Sequence, residues 1–173
     1  MQEYIHTGPW PVSYRNATVF GEPMYGWRIV ADRSRAPFED QDRDSNFFAG
    51  RTIVSSGRGC TFDWEIPEDI FKFARQVHNL AFPHVPILAI DIIQDHETQK
   101  LYALEANTAG LNILITPTNG ARIKRDFGLD LFHQFGGISA IARGIFGRIS
   151  KGTVLLNSLE PSLPSISSEV VIV

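Results

Sequence analysis

The sequence has little cysteine, with Cys60 as the only one among 173 residues. A lone thiol excludes an internal disulfide and a cysteine-rich zinc site. One free thiol suits a reducing compartment, so we expect a cytoplasmic protein.

The sequence also lacks a long apolar run and a large excess of either charge. Residues 131–149 are the most apolar stretch, but polar and basic side chains interrupt them, so we expect no membrane span. Residues 1–6 have neither the basic nor the apolar region of a signal peptide. The formal net charge of -3 gives no overall attraction to nucleic acid or to an anionic membrane, and neither is expected as a partner.

The residues that are present predict a globular α+β domain with antiparallel strands and packed helices. Strands are predicted from β-branched and aromatic residues, and one helix from Pro67 at its start and apolar residues at helical spacing. The glycine-interrupted residues 129–148 predict one or two further helices. The predicted strands are residues 12–20, 24–31, 86–93 and 101–106, with a turn at Gly21-Glu22-Pro23 in the first hairpin and a polar turn over 94–100 in the second.

Each strand of the second hairpin carries one carboxylate within an apolar run, Asp91 and then Glu105. A buried carboxylate is normally paired, hydrogen-bonded or bound to metal. With the turn centred near Thr98, Asp91 lies across from Glu105, and Asn107 faces the same way because side chains alternate along a strand. Three oxygen ligands on one face suit Mg²⁺. Alternatively, Asp91 ends its strand in a turn and Glu105 meets solvent or a lysine.

The first hairpin carries two arginines. With the turn at Gly21-Glu22, Arg15 would lie directly across from Arg28. Like charges in that position are destabilising unless something compensates, and phosphate is a favoured partner of arginine. We therefore expect an anion between the two guanidinium groups. The alternatives are two solvated arginines, or arginines paired with nearby acids.

Taken together, these segments resemble the ATP-grasp superfamily over residues 2–115. The resemblance rests on several segments that follow one another in the order of the family. They are Gln2-Glu3-Tyr4-Ile5, similar to the hinge that grips adenine; Ser13-Tyr14-Arg15 with Val19-Phe20-Gly21-Glu22, and Tyr25-Gly26-Trp27-Arg28, similar to the strands that open the C-terminal lobe; Asp44-Ser45-Asn46, similar to a segment beside the substrate; and Ile90-Asp91-Ile92 with Leu104-Glu105-Ala106-Asn107, similar to the metal-ligand strands.

The resemblance implies the C-terminal lobe of an ATP-grasp ligase domain over residues 1–156. The serines and prolines from Asn157 onward predict a flexible tail over 157–173. The resemblance also implies ATP and Mg²⁺ (or Mn²⁺) as cofactors, and a small-molecule carboxylate activated as an acyl-phosphate for attack by an amine or similar nucleophile. The implied roles are metal binding for Asp91, Glu105 and Asn107, a catalytic contact for Arg28, and nucleotide binding for Gln2, Glu3, Tyr4, Ile5, Arg15 and Asn46.

The N-terminal half-lobe of the family has no counterpart in this sequence. That half-lobe carries a strand lysine and a glycine-rich phosphate loop, whereas the first lysine here is Lys72. We therefore expect a partial domain whose other lobe is missing or is supplied by a partner chain. The alternative function is a truncated or degenerate binding module without turnover. An unrelated α+β domain with fortuitous acids is the remaining interpretation.

Overall fold

The strands form one five-stranded antiparallel sheet in the order β3-β2-β1-β4-β5, so the predicted α+β class with an antiparallel sheet is confirmed. A computed structural model describes residues 5–34, 37, 60–108 and 117–157, without the side chains of 117–120, 122 and 151–157. No helix in these ranges could cross a membrane. The elements are β1 (Val12–Val19), β2 (Glu22–Ala31), β3 (Cys60–Asp63), α1 (Glu68–Ala81), β4 (Ile87–Gln94), β5 (Leu101–Asn107), α2 (Pro117–Phe127) and α3 (Ile138–Asn157).

The β1–β2 hairpin forms as predicted, but its turn lies one residue earlier than expected. Phe20 and Gly21 make the turn with φ angles of 46° and 84°. Glycine adopts a positive φ without steric cost, which explains its place there. A bulge next to Ala17 then inserts Met24 as an extra residue in β2 and shifts the register of the rest of the hairpin.

This register overturns the predicted pairing of the two arginines. Arg15 lies across from Trp27, whereas Arg28 lies across from Tyr14. A shift of one residue moves a side chain to the other face of a sheet. The prediction that Arg15 and Arg28 face each other around an anion is therefore wrong, because the two side chains lie on opposite faces.

The β4–β5 hairpin also forms as predicted, around a turn fixed by Asp95. The Asp95 carboxylate accepts hydrogen bonds from the backbone amides of Glu97 and Thr98, at 3.0 and 2.7 Å. A bulge next to Asp91 shifts the ladder by one residue, and Asp91 then lies directly across from Glu105. The predicted pairing of these two carboxylates is confirmed.

Helix α1 covers one face of the sheet. Pro67 precedes its first residue, and Glu68 and Asp69 in the first turn favour the positive end of the helix dipole. The helix ends at Ala81, one residue before the Phe82-Pro83 pair that predicted its end. Its buried face packs against β1 and β4 in a core cluster of Tyr14, Ile70, Ala74, Val77, Leu88, Ile90, Ile92 and Ala103.

The opposite sheet face packs against the chain that follows α2. Leu129 and Leu131 are buried there, and Ile141 of α3 packs beside them; their core cluster includes Ala17, Met24, Tyr25, Trp27, Ile29 and Ala89. A helix was predicted from residue 129, but turns continue to Gly137, whose φ is 53°. Neither β3 nor α2 was predicted. The predicted tail lies outside the described residues except for Asn157, the last residue of α3.

Candidate functional site

Three adjacent strands bring Arg15, Asp91 and Glu105 to one face of the sheet. β1 pairs Arg15 with Asp91 of β4, and β4 pairs Asp91 with Glu105 of β5. Directly opposed residues of an antiparallel ladder point to the same face, with Cβ atoms roughly 4.5–5.5 Å apart. One cation therefore lies in a row with two carboxylates, and we call these three side chains the charged row.

Arg15 and Asp91 form a bidentate ion pair. Arg15 Nε donates to Asp91 Oδ1 and Arg15 Nη2 donates to Asp91 Oδ2, both at 2.6 Å. The side chains are 24% and 14% exposed. The hydrogen bonds to Asp91 raise the pKa of Arg15 most, burial lowers it, and the charge of Glu105 contributes a smaller increase. Arg15 is therefore a permanent cation, and both oxygens of Asp91 are engaged.

Glu105 lies at the open end of the charged row. The residue is exposed, and within the described residues no hydrogen bond or ion pair engages its carboxylate. Asn107 lies across from Ala89 on the same sheet face and is half-buried. Both side chains have oxygen atoms that can bind a ligand.

The donor set fits a hard divalent cation in its chemistry. Asp91 and Glu105 supply carboxylates and Asn107 supplies an amide oxygen, the ligand types that Mg²⁺ prefers. Within the described part of the chain no group of three or more histidine, cysteine, aspartate or glutamate side chains could hold a metal. A cation here would therefore need Asn107, water or a bound anion to complete its shell, and it would share Asp91 with Arg15.

Two aromatic side chains of β2 lie beside the charged row on the same sheet face. Trp27 lies across from Arg15, and its ring stacks on Tyr25 with centroids 5.7 Å apart and an interplanar angle of 7°. Both rings are buried. The sequence alone does not place Trp27 at the site, because its position across from Arg15 depends on the position of the turn and on the bulge.

Arg28 lies away from the charged row. It faces the α1 side of the sheet, with Nη1 3.8 Å from Asp63 Oδ2 and 3.4 Å from Glu65 Oε2. Its buried Nε has no hydrogen-bond partner among the described residues. The structure therefore does not bring Arg28 together with Asp91, Glu105 and Asn107.

Of the four residues in the predicted adenine hinge, the structure describes only Ile5. Ile5 is buried, and the carbonyl of the next residue, His6, accepts a hydrogen bond of 2.8 Å from the backbone amide of His96. The chain next to Ile5 therefore lies against the β4–β5 turn. Gln2, Glu3, Tyr4 and Asn46 lie outside the described residues.

The comparisons with known proteins give a distant structural likeness. No protein-family model matches the sequence, and no curated protein matches it. Among solved structures, the chain is similar to the macrocyclase MdnC from Microcystis aeruginosa MRC, which was crystallised bound with its precursor peptide MdnA. The match has a TM-score of 0.37 and 15% identity, and it covers 80% of this chain and 34% of that chain. A likeness at this level does not define a fold family.

Proposed function

We propose that this chain is the ATP- and Mg²⁺-binding lobe of an ATP-grasp-type ligase, which activates a carboxylate as an acyl-phosphate for attack by an amine or similar nucleophile. The observation that carries the proposal is the register that sets Asp91 across from Glu105 on the face that also holds Arg15. The resemblance of the surrounding sequence to the ATP-grasp superfamily supplies the reaction class.

The residues of the charged row, together with Asn107, have two roles in this proposal. Asp91, Glu105 and Asn107 hold the cation, which when bound neutralises phosphate charge and orients the nucleotide. Arg15 contacts phosphate oxygens, for which a planar guanidinium is well suited. Phosphoryl transfer depends mainly on positioning and charge neutralisation, so these residues need no covalent role. The position of Arg28 on the other sheet face gives no support to its predicted catalytic contact.

A second candidate is a binding module without turnover. The bidentate Arg15–Asp91 pair favours this candidate, because an aspartate whose two oxygens both accept hydrogen bonds from Arg15 can have a purely structural role between β1 and β4. ADP formation from ATP with a panel of carboxylates and amines separates the two functions. Carboxylate-dependent ADP formation supports the ligase, whereas nucleotide binding without it supports the module.

The proposal predicts that Glu105→Gln abolishes Mg²⁺-dependent nucleotide binding while the fold is kept. The substitution removes one negative charge from an exposed side chain and preserves its size. In the unsubstituted chain, a non-hydrolysable ATP analogue with Mg²⁺ raises the unfolding midpoint, because a ligand of the folded state stabilises it by about 2.7 kcal/mol at 100 times its Kd. Thermal unfolding with and without each component measures the effect.

Glu97→Gln is the matched control, since Glu97 is an exposed acid in the turn of the same hairpin. It makes the same change of charge away from the proposed site and should keep the full shift. A Mg²⁺-dependent shift of equal size in Glu105→Gln would contradict the assignment. The absence of any shift in the unsubstituted chain would contradict nucleotide binding by this polypeptide.

A further inference from the structure

The charged row contains a conflict that the proposed function does not resolve. Two guanidinium nitrogens of Arg15 engage both oxygens of Asp91, each at 2.6 Å. Each of these oxygens keeps a second lone pair, but a cation held by Asp91 would have to share an oxygen with the guanidinium, and the two positive charges repel each other at that distance. Glu105, the other carboxylate, has no hydrogen bond or ion pair within the described part of the chain.

We propose that Arg15 and a divalent cation compete for the Asp91 carboxylate, so that Arg15 blocks the cation until a phosphate anion draws its guanidinium away. This inference rests on the proposed function, because it assigns a regulatory role to Arg15 within the same site. Cation and nucleotide then bind with positive coupling through one side chain.

The charges favour this exchange. One arginine and two carboxylates leave the row with a single negative charge. A divalent cation between Asp91 and Glu105 would cancel both carboxylates and leave Arg15 as an unpaired cation. An unpaired, partly buried guanidinium is costly, and a phosphate oxygen is the partner that restores its hydrogen bonds. The nucleotide phosphates are therefore the anion expected to complete the exchange.

The geometry allows Arg15 to move without loss of the sheet. Its side chain is 24% exposed, so the guanidinium borders solvent. The backbone pairing of Arg15 with Asp91 and with Trp27 belongs to the two ladders of β1 and does not depend on the ion pair.

The test compares Mn²⁺ and nucleotide binding in Arg15→Gln and in the unsubstituted chain. Free Mn²⁺ measured by electron paramagnetic resonance gives the affinity for the cation alone, without any enzymatic turnover. Loss of the guanidinium should tighten Mn²⁺ binding roughly tenfold or more, since hydrogen bonds between charged groups are the strong ones. The affinity for a non-hydrolysable ATP analogue at saturating Mg²⁺ should fall.

Arg75→Gln is the control, because Arg75 forms an ion pair of 3.2 Å with Glu22 elsewhere on the surface. It makes the same change in net charge and should leave Mn²⁺ affinity unaltered. Arg15→Lys serves as a second variant if Arg15→Gln is poorly folded. A lysine keeps the positive charge but lacks the planar fork that holds both Asp91 oxygens, so it should tighten Mn²⁺ binding less than the glutamine does.

Opposite changes in the affinities for cation and nucleotide support the competition. Mn²⁺ binding in both Arg15 variants that is equal to or weaker than in the unsubstituted chain overturns the competition. If nucleotide binding still requires Mg²⁺ in that case, the proposed function stands. If the unsubstituted chain and every variant bind neither Mn²⁺ nor nucleotide, the proposed function fails and the inference falls with it.

Discussion

At the scale of single residues, His78 is the clearest case of a polar group whose charge state the fold controls. His78 belongs to α1, and its side chain is fully buried between the helix and the sheet. His78 Nε2 lies 2.8 Å from the Val85 carbonyl, which can only accept, so Nε2 carries the proton. His78 Nδ1 then accepts a hydrogen bond from the Thr18 hydroxyl at 2.6 Å. The neutral imidazole is satisfied on both sides.

Burial lowers the pKa of His78 below its ordinary value of 6.5, although the hydrogen bond to Val85 opposes the shift. The folded state therefore binds fewer protons than the unfolded state once the pH falls below 6.5. The stabilisation is complete above this value and is lost as the pH falls towards the lowered pKa. We predict that the free energy of unfolding falls more steeply between about pH 7.5 and about pH 5.5 in the unsubstituted chain than in His78→Gln.

Denaturant unfolding at several pH values measures this difference. His96→Gln is the comparison, because His96 is an exposed histidine in the β4–β5 turn. It should keep the steep dependence on pH. Identical pH profiles for the unsubstituted chain and His78→Gln would show that His78 does not contribute in this range.

At the scale of elements, two glycines of α3 have opposite surroundings. A Cβ atom added at Gly144 would clash with the backbone oxygen of Val19, at the end of β1. The same atom added at Gly147 would meet nothing within 4 Å. The first glycine therefore allows α3 to approach the hairpin, whereas the second only weakens the helix.

This contrast predicts effects of opposite sign from the same substitution in one helix. Gly144→Ala should destabilise the fold by about 1–3 kcal/mol, since a backbone oxygen cannot yield without moving β1. Gly147→Ala should stabilise it by up to about 1 kcal/mol through helix propensity alone. Equilibrium unfolding of both variants tests the packing of α3, and stabilisation by Gly144→Ala would contradict it.

The two hairpins differ in how far the sequence could predict their registers, although each contains a bulge. The tight turn of Phe20-Gly21 and the bulge next to Ala17 together shift the β1–β2 register by one residue, which separates Arg15 from Arg28. No local residue pattern in the sequence predicts the position of this turn or of this bulge. In the β4–β5 hairpin, Asp91 would lie across from Leu104 and not Glu105 if the register near the turn continued without a bulge. The bulge there restores the predicted pairing.

At the scale of the whole molecule, two cores on opposite faces of one sheet hold the charged row in place. The cluster beneath α1 and the cluster around Leu129 and Leu131 both include residues of β1 and β4. Arg15 and Asp91 therefore lie on central strands, where backbone pairing on both sides limits movement, whereas Glu105 lies on the edge strand β5. A constellation supported in this way can be more precise than one on loops.

The sequence predicted the longer elements of this architecture and missed the shorter or less periodic ones. The β-branched and aromatic residues of β1, the apolar run of β4 and the apolar stripe of α1 are local signals in the sequence. β3 spans only Cys60–Asp63 and is defined by its pairing with β2, which a local pattern cannot reveal. The Arg15–Asp91 ion pair was missed because β1 and β4 are neighbours in space and distant in sequence.

The proposed function depends above all on a divalent cation bound between Asp91 and Glu105. Addition of a small amount of Mn²⁺, with a non-hydrolysable ATP analogue, to the ¹⁵N-labelled chain would locate the cation through paramagnetic broadening of nearby amide signals. We predict that broadening centres on the middle of β4 and on the end of β5 near Glu105 and Asn107, and that excess Mg²⁺ reverses it. Broadening centred on Asp63 and Glu65, or no selective broadening, would show that no cation binds between Asp91 and Glu105.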